Sequence, residues 1–411
     1  MNVVLIKAPS DFLISDRAMP SLGVLYLSAV LKKNGINAEV IDDWCAIDET
    51  YGDTKEDTLF GISATSPQYS NALKILDNIK SVNWKTPVII GGPHAIVKWR
   101  DIIKDGWDGI CGGDSAEKTI LRIIKNIETG RDDFTFQYDL CDGTNIDHIP
   151  YPDRKAIDLH SYTYKIRGRN STTMITSRGC SYGKCAFCSQ VWNNVKYHSV
   201  EYVIGELKEI KDLGFSALTL FDDNFGAYFS RDKKISEALT KMGFIWRCIS
   251  RADTILRNKK LLDTMKHSCQ EIALGCESGS DEVLKAIDKG MTVDQNKRAI
   301  DIIRKAGIKE KVNIVLGLPQ ESQETLYETD KFLEEIQPDW VDISILSIYP
   351  GSEIYDWPKR YDIKFNKDEY LPYKTQPGKY SCGISTSKLS SEEIIEFRNY
   401  LEKKYRKREP Q

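Results

Sequence analysis

The residues of this chain most suited to chemistry are three cysteines that lie within nine positions of one another. Cys180, Cys185 and Cys188 follow an apolar, β-prone run at residues 172–176, so they belong to a short loop at the end of a strand. Three soft thiolates on one loop favour a soft metal centre. In a 4Fe-4S cluster held this way, one iron lacks a protein ligand and stays open for chemistry. The spacing therefore predicts a catalytic iron–sulfur centre.

A zinc site is the competing interpretation of the same cysteines. His198 follows Cys188 by ten residues and could complete a Cys3His set. Zinc sites usually pair two compact ligand couples, whereas this chain offers a triplet and one distant histidine, so we favour the cluster. The other seven cysteines are scattered and predict no disulfide framework: Cys45, Cys111, Cys141, Cys248, Cys269, Cys276 and Cys382.

Length and composition limit the class of protein. The chain has 411 residues, which suggests two or three domains, and a net charge of −3, which gives no reason to expect a nucleic-acid partner. No apolar run reaches about 18 residues, and the chain begins without an apolar signal segment. We therefore expect a cytoplasmic protein without a membrane partner, and we take the basic residues 403–408 as a solvated terminus.

Strands and helices alternate in the first third of the chain. Strands are predicted at residues 3–6, 38–41, 59–64, 88–90 and 109–111, with helices at 24–31, 69–81 and 115–128. This order predicts a doubly wound, Rossmann-like parallel sheet over residues 1–135. Ligands bind such sheets at the carboxyl ends of the strands.

Three loops at those strand ends are small, polar or rich in glycine: residues 65–68, 91–94 and 112–114. Glycine lets a planar or phosphate-bearing ligand approach the backbone closely. Each loop alone could be an ordinary tight turn, but three on the same edge favour a ligand site.

The central part repeats strand and helix around the cysteine loop. Strands are predicted at residues 172–176, 217–221, 245–250, 271–275, 312–316 and 341–346, which indicates a partial (β/α)6 barrel over residues 171–355. Polar residues follow several of these strands, including Asp222, Asp223, Arg251 and Glu277. Each could be a helix cap, but together they could bind a zwitterionic nucleoside. Residues 136–170 are predicted to be a linker. Residues 356–411 are predicted to be a short α-rich segment, and its aromatic residues could either pack against the protein or contact the substrate.

Both regions resemble a known family. The motifs Pro20-Ser21-Leu22-Gly23, Gly91-Gly92-Pro93-His94 and Gly112-Gly113-Asp114-Ser115-Ala116-Glu117 resemble the cobalamin-binding domain of cobalamin-dependent radical SAM enzymes, over about residues 1–130. Residues 170–355 resemble the radical SAM superfamily through the three cysteines, Phe187, and the segments 221–225, 275–282 and 317–319. One departure is the four residues between Cys180 and Cys185, where three are common.

The resemblance implies three cofactors: a 4Fe-4S cluster on Cys180, Cys185 and Cys188, S-adenosylmethionine (SAM), and cobalamin. It implies SAM contacts from Phe187, Asp222, Asp223, Arg251, Glu277, Ser278 and Leu316. It implies cobalamin contacts from Ser21, Leu22, Gly23, Thr65, Ser66, Gln68, Gly91, Gly92, Pro93, His94, Gly112, Gly113, Asp114 and Glu117.

Some of these side chains have a competing structural role. Arg251 could bind the SAM carboxylate or pair with Asp253, and Glu277 could accept from ribose hydroxyls or complement a helix dipole. The loop at residues 8–22 has no histidine, which implies base-off cobalamin without ligation from that loop. We interpret His94 as a turn residue rather than a cobalt ligand.

The implied activity is that of a class B radical SAM methyltransferase. A 5′-deoxyadenosyl radical would abstract hydrogen from an unactivated carbon, and that carbon would take a methyl group from methylcobalamin. Ring contraction, cyclisation or rearrangement with the same cofactors remains open, as does a non-catalytic cobalamin or cluster sensor. An RNA methylthiotransferase is disfavoured, because we find no second cysteine triplet near the N-terminus. We expect a monomer, a small-molecule or short-peptide substrate, and an electron donor such as flavodoxin or ferredoxin.

Overall fold

A computed structural model describes residues 1–11, 13, 15–42, 57–113, 115–130, 136–140, 143–189, 194–365 and 381–405. These residues form two compact units, the first from residues up to 163 and the second from residues 164 onward. Asp114, Cys45, Cys141, Tyr370, Tyr373 and Tyr380 lie outside the described residues. The finer division at residues 135, 170 and 355 stays a prediction.

Within its described residues, the first unit contains six strands and four helices. They are β1 (Asn2–Lys7), α1 (Leu22–Lys33), β2 (Asn37–Ile41), β3 (Thr58–Ser63), α2 (Tyr69–Val82), β4 (Val88–Gly91), α3 (Pro93–Ile102), β5 (Gly109–Gly112), α4 (Ala116–Glu128) and β6 (Phe136–Tyr138). The strand order β2-β1-β3-β4-β5-β6 is that of a doubly wound sheet. Every pair is parallel, which confirms the predicted α/β fold of this unit.

Apolar side chains from both sides of the strands build the core of this unit. Val4, Phe60 and Ile90 are buried on one face, and Leu5 and Ile89 are buried on the other, as parallel strands covered by helices require. The strand order reverses between β1 and β3, so the loops after these two strands diverge and leave a crevice at the carboxyl edge.

Two elements of the first unit are not predicted from the sequence. Helix α3 begins directly at Pro93, because proline fits the first position of a helix, so the Gly-Gly-Pro-His motif is a helix start rather than a loop. Strand β6 lies in the predicted linker and pairs with β5. Phe136 of this strand stacks on Trp99 of α3 at 4.0 Å, a tertiary contact that no local pattern announces.

Within its described residues, the second unit contains eleven strands and nine helices. They are β7 (Lys165–Ile166), β8 (Arg169–Met174), β9 (Ser177–Arg178), β10 (Lys196–Tyr197), α5 (Val200–Asp212), β11 (Ala217–Leu220), α6 (Phe229–Lys241), β12 (Ile245–Ser250), α7 (Ala252–Arg257), α8 (Leu262–Met265), β13 (Cys269–Glu277), α9 (Asp281–Ala286), α10 (Val293–Lys305), β14 (Lys309–Leu316), α11 (Gln323–Ile336), β15 (Trp340–Ile345), α12 (Glu353–Asp356), β16 (Lys364–Phe365), β17 (Ile384–Ser385) and α13 (Ser391–Tyr405).

Six parallel strands form the half-barrel that the sequence predicts. Their order is β15-β14-β13-β12-β11-β8, and the short strand β7 adds an antiparallel edge next to β8. Local signals fix the helices between them. Thr292 and Gln295 form a capping box at the start of α10, whose apolar residues Ile300 and Ile303 are buried.

The two faces of this sheet differ in exposure. In β14, Val312 and Ile314 are buried, whereas Lys311 and Asn313 are partly exposed. Alternate residues of a strand point to opposite faces, so the sheet has one sealed face and one open, concave face. No helix among the described residues is long and apolar enough to cross a membrane.

Candidate functional site

The three cysteines lie on a loop at residues 179–189, beyond strand β9 of the second unit. Backbone bonds tie the middle of this loop at both sides: the Ala186 N–H donates to the Ile287 carbonyl at 3.0 Å, and the Ile354 N–H donates to the Ala186 carbonyl at 3.1 Å. The Tyr182 hydroxyl donates to the Asp288 carbonyl at 2.8 Å. A Cβ at Gly290, where φ is +68°, would overlap that hydroxyl, so glycine is needed there.

Side chains of the Asp222-Asp223-Asn224 motif hydrogen-bond to the cysteine loop and to the residues just before it. Asp222 is buried and accepts hydrogen bonds from the Thr176 N–H, the Thr176 hydroxyl and the Ser177 hydroxyl, at 2.6, 2.5 and 2.7 Å. Asp223 accepts from the Gly179 N–H at 3.0 Å, and Asn224 donates to the Ser181 hydroxyl at 2.9 Å. All three side chains therefore position the cysteine loop, and SAM contacts from Asp222 and Asp223 stay predictions.

The thiols sit in an environment that opposes their ionisation without a metal. Desolvation raises the pKa of Cys185, and the same cause, followed by the negative charges of Cys185 and Asp223, raises the pKa of Cys188 to about 11. A positively charged centre relieves this repulsion, because metal binding displaces the thiol protons. Lys289 and Arg251 lie near enough to lower the pKa of Cys185 in part.

Arg251 connects the cysteine loop to the polar strand ends. Its Nε donates to the Asp253 carboxylate at 2.9 Å, Nη2 donates to the Lys289 carbonyl at 2.9 Å, and Nη1 lies 3.7 Å from Cys185 Sγ. The guanidinium also lies over the Tyr182 ring, 3.9 Å from its centre. The pairing with Asp253 is the alternative named from the sequence, and the contact with a cluster cysteine is new.

Glu277 is paired with a residue that the sequence analysis missed. Its carboxylate accepts from Lys289 Nζ at 2.6 Å, and both side chains are buried. Glu277 has a φ of +63°, and a Cβ at Gly275 would overlap its carboxylate, so the local backbone is shaped around this pair. Burial lowers the pKa of Lys289, but the charges of Glu277 and Cys185 and the hydrogen bond to Glu277 together outweigh burial, so the net pKa is raised. The one local signal for Lys289 is its position directly before Gly290, in a turn that the cysteine loop contacts through Tyr182.

The remaining predicted SAM residues lie at the same ends of the strands. Phe187 has its ring centre 5.8 Å from Lys289 Nζ, which places it at the Glu277–Lys289 pair. Ser278 is buried against Thr329, with the two hydroxyls 3.3 Å apart. Leu316 is buried at the end of β14, where its carbonyl accepts from the Leu346 N–H.

The donor set fits a 4Fe-4S cluster. Cys180 and Cys185 are half-buried and Cys188 is exposed, so the loop that carries them is accessible to a bulky group. Within the described ranges, no three His, Cys, Asp or Glu side chains converge on one metal ion. A four-iron cluster does not need such convergence, because each thiolate binds a different iron. His198, the fourth ligand of the zinc alternative, is buried and stacks on Tyr202 at 3.8 Å.

The first unit has an apolar slot at the carboxyl edge of its sheet. Gly91 and Gly92 line it, and a Cβ on Gly92 would lie 2.8 Å from the Ala64 carbonyl oxygen. The other lining residues come from four strands and two helices: Leu5, Val24, Leu27, Gly61, Ile62, Ser63, Ile89, Cys111, Ala116 and Ile120. The slot holds only about 30 Å³, so it marks where glycine lets a ligand approach the strand ends, and binding of the nucleotide part of cobalamin here stays a prediction.

Several predicted cobalamin residues also stabilise the loops around this slot, and their cobalamin contacts stay predictions. Gln68 is buried, donates to the Ala8 carbonyl at 2.6 Å and accepts from the Thr65 N–H at 2.9 Å. His94 is buried, lies 3.0 Å from the Ser66 hydroxyl and stacks on Tyr69 at 4.2 Å. Burial, and then the charge of Lys98, lower the pKa of His94 to about 4. His94 therefore lies in the first turn of α3, packed against Ser66 and Tyr69, and not in the loop that the sequence predicts.

The other predicted cobalamin residues occupy helix starts and turns. Ser21 is the N-cap of α1, whose first turn holds Leu22 and Gly23, and open space surrounds Gly23. Pro93 opens α3 and Glu117 lies buried in the first turn of α4. Gly112 packs against Tyr138, and a Cβ on Gly113 would overlap the Asp139 backbone. Cobalamin contacts from these residues stay predictions.

Two sequence profiles match this chain. The B12 binding domain profile matches residues 15–120, and the Radical SAM superfamily profile matches residues 174–333. Among curated proteins, an uncharacterised methyltransferase of Pyrococcus horikoshii is 26% identical over 87% of this chain and 83% of its own length. An anaerobic magnesium-protoporphyrin IX monomethyl ester cyclase of Rubrivivax gelatinosus is 26% identical over 82% of this chain and 66% of its own length.

Two solved structures share the fold. The radical SAM methyltransferase TsrM of Kitasatospora setae, with cobalamin and a [4Fe-4S] cluster bound, has a TM-score of 0.71 at 15% identity, covering 92% of this chain and 79% of that one. The cobalamin-dependent SAM radical enzyme OxsB, with aqua-cobalamin and SAM bound, has a TM-score of 0.71 at 17% identity, covering 93% of this chain and 64% of that one.

The profiles and the fold define a protein with a B12-binding domain followed by a radical SAM domain. The chain belongs to the cobalamin-dependent radical SAM enzymes, and its relatives include methyltransferases. Its two domains imply a 4Fe-4S cluster, SAM and cobalamin as cofactors.

Proposed function

We propose that this enzyme transfers a methyl group to an unactivated carbon of a small molecule or short peptide. The observation that carries the proposal is the combination of a three-cysteine loop, held at the strand ends of a half-barrel, with a glycine-walled slot in a B12-binding domain. The similarity to methyltransferases in sequence and in fold supports methyl transfer over other outcomes.

The residues of the second unit would bind and orient SAM. When bound, the cluster supplies the electron that cleaves SAM, and cobalamin carries the methyl group. Cys180, Cys185 and Cys188 would hold the cluster, while Arg251 and Lys289 place positive charge beside Cys185. Lys289 Nζ donates to one carboxylate oxygen of Glu277 at 2.6 Å and so fixes the orientation of the carboxylate. The carboxylate can then accept hydrogen bonds from the ribose hydroxyls of SAM.

The residues of the first unit would hold cobalamin. Gly91 and Gly92 let the cofactor approach the strand ends, and the apolar slot residues exclude water from it. His94 is engaged with Ser66 and Tyr69, so we assign it to the wall of the site and not to the cobalt.

Cyclisation is the second candidate, because the Rubrivivax relative is named a cyclase and matches 82% of this chain. The two outcomes differ in their products. A methyltransferase that uses two SAM molecules per turnover releases 5′-deoxyadenosine and S-adenosylhomocysteine in equal amounts, whereas a cyclase releases the former without the latter.

The test is anaerobic reconstitution with iron, sulfide and hydroxocobalamin, followed by incubation with SAM, a reductant and extracts of candidate metabolites. We expect both products, together with a substrate heavier by one methylene unit in mass spectrometry. Cys188→Ala should abolish both the cluster absorbance and the cleavage of SAM, whereas Cys382→Ser, outside the cysteine loop, should retain them. Cleavage of SAM without S-adenosylhomocysteine would contradict methyl transfer.

A further inference from the structure

The open face of the half-barrel encloses a cavity of about 380 Å³. We call it the strand-face cavity; its polar wall is formed by Thr219, Arg247, Glu271, Lys311, Asn313 and Asp342. These residues lie on five neighbouring strands, β11 to β15, and each occupies the concave side of its strand. A volume of this size suits a ligand of modest dimensions.

Two ion pairs give this wall both signs of charge. Arg247 Nη1 lies 3.5 Å from Glu271 Oε1, and Lys311 Nζ lies 3.1 Å from Asp342 Oδ2. The side chains of Lys311 and Asp342 reach solvent, at 30% and 52% exposed, whereas those of Arg247 and Glu271 are more enclosed, at 20% and 14%. An exposed ion pair such as Lys311–Asp342 adds little to folding stability, so stability does not explain why this pair lines a concave wall.

Arg247 is also held in one orientation. Its Nε donates to the Thr219 hydroxyl at 3.2 Å, and its guanidinium lies 4.2 Å from the centre of the Tyr164 ring. These contacts leave Nη2, with two N–H donors, without a partner among the described residues. A fixed guanidinium with free donors is a preorganised carboxylate site.

The wall becomes apolar at the carboxyl ends of the strands. Phe221 and Ile249 line this part of the cavity and are 39% and 38% exposed, which is high for large apolar residues. The cavity is therefore charged in its middle and apolar toward the edge where the cysteine loop is anchored.

Taking the enzyme to act as proposed above, we propose that the strand-face cavity binds a substrate with an ammonium and a carboxylate group, such as an α-amino acid. The carboxylate would bind Arg247 and Lys311, the ammonium would bind Glu271 and Asp342, and the hydrocarbon part would extend along Phe221 and Ile249. A ligand that carries only one charge leaves either the two cationic or the two anionic side chains without a partner. A site with polar groups left unpaired in this way binds such analogues much more weakly.

The test measures binding to the SAM-loaded, reconstituted enzyme without reductant, so that the amino acid part of SAM cannot compete. The twenty proteinogenic L-amino acids are titrated by calorimetry, and each ligand that binds is compared with its decarboxylated amine and its deaminated acid. We expect saturable binding of at least one amino acid, at least tenfold weaker binding of both analogues, and at least tenfold weaker binding to Arg247→Lys and Lys311→Met. Lys297→Met, which removes a lysine paired with Glu335 on the helix side, should bind as the wild type does.

The proposal is overturned if no amino acid binds, if either analogue binds as tightly, or if Lys311→Met keeps wild-type affinity while its melting temperature is unchanged. These outcomes leave the proposed function standing when SAM is still cleaved and its methyl group transferred to another kind of molecule. Amino acid binding without any methyl transfer would instead contradict the proposed function alone.

Discussion

At the scale of single residues, the buried ion pair of Glu277 and Lys289 is central to the packing at the carboxyl ends of the half-barrel strands. Two charges removed from water stay compatible with folding only while each compensates the other. The Glu277 carboxylate lies against Gly275, and the backbone of Glu277 has a positive φ. Phe187 of the cysteine loop lies beside Lys289, so we expect the loss of either charge to disturb the cysteine loop as well.

Replacing Lys289 by methionine should destabilise the second unit by about 3–5 kcal/mol, because Glu277 is left buried without its partner. Chemical denaturation followed by circular dichroism measures the change. The double variant Lys289→Met/Glu277→Gln should recover most of the loss, and Lys297→Met serves as the matched control on the surface. An unchanged unfolding midpoint in the single variant would show that the pair does not matter for stability.

Glu321 predicts a dependence of stability on pH. Its carboxylate accepts from the Gly317 N–H at 2.5 Å, and burial raises its pKa from 4.5 to about 8. A carboxyl group whose pKa is higher in the folded than in the unfolded state contributes its full stabilisation at a pH below the unfolded-state pKa. This contribution is lost as the pH rises through the folded-state pKa. Relative to Glu321→Gln, the wild type should therefore lose on the order of 4 kcal/mol between pH 5 and pH 8. Parallel stability curves for the two proteins would refute this.

At the scale of elements, the turn from β4 into α3 is shaped by a clash that only glycine avoids. Gly92 has a φ of +89°, and a Cβ there would lie 2.8 Å from the Ala64 carbonyl oxygen and 2.9 Å from the Ala64 nitrogen. This turn lines the apolar slot, so its backbone sets the width of the site that we propose for cobalamin.

Gly92→Ala should lower both the stability of the first unit and the affinity for hydroxocobalamin. Gly130→Ala is the matched control, because Gly130 also has a positive φ but meets nothing within 4 Å. The control should cost about 1–2 kcal/mol for backbone conformation alone, and Gly92→Ala clearly more. Equilibrium dialysis measures the affinity, and equal affinities in the two variants would exclude a narrowed slot.

At the scale of the whole molecule, each unit has its own core, and the chain end is part of the second. Asp330 of α11 holds α13 by accepting from the Tyr400 hydroxyl at 2.9 Å, from Lys404 Nζ at 2.9 Å and from the Tyr405 hydroxyl at 2.6 Å. Burial raises the pKa of Asp330, but these bonds outweigh burial and lower it. The carboxylate therefore stabilises the second unit above its unfolded pKa, and this contribution is lost as the pH falls through the folded value.

Asp330→Asn should destabilise the second unit by about 1–3 kcal/mol at pH 7, with hydroxocobalamin binding unchanged. Differential scanning calorimetry and cobalamin absorbance measure the two effects. The difference from wild type should shrink as the pH falls below 4, whereas Asp294→Asn, in an exposed pair at 3.7 Å, should differ little at any pH. A large loss of cobalamin binding would contradict the assignment of Asp330 to the second unit alone.

The sequence predicts the parallel strands of both units because their apolar runs are local signals, and it predicts the cysteine loop because three thiols mark it. It does not predict helix α3, whose Gly-Gly-Pro start resembles a turn, or β6, which depends on a ring stacked against Trp99. It does not predict the Glu277–Lys289 pair or the charged wall of the strand-face cavity, because those contacts depend on how separate strands and turns pack together.

The separation of the sheet into a sealed and an open face has an evolutionary consequence. Under the proposed role of the strand-face cavity, substitutions at Arg247, Lys311 or Asp342 would change what the enzyme recognises without disturbing the buried residues Val312 and Ile314. A lineage can therefore acquire new substrates by a few point mutations while its radical-generating apparatus is inherited intact. The same separation makes these three positions the natural targets for a laboratory library aimed at altered selectivity.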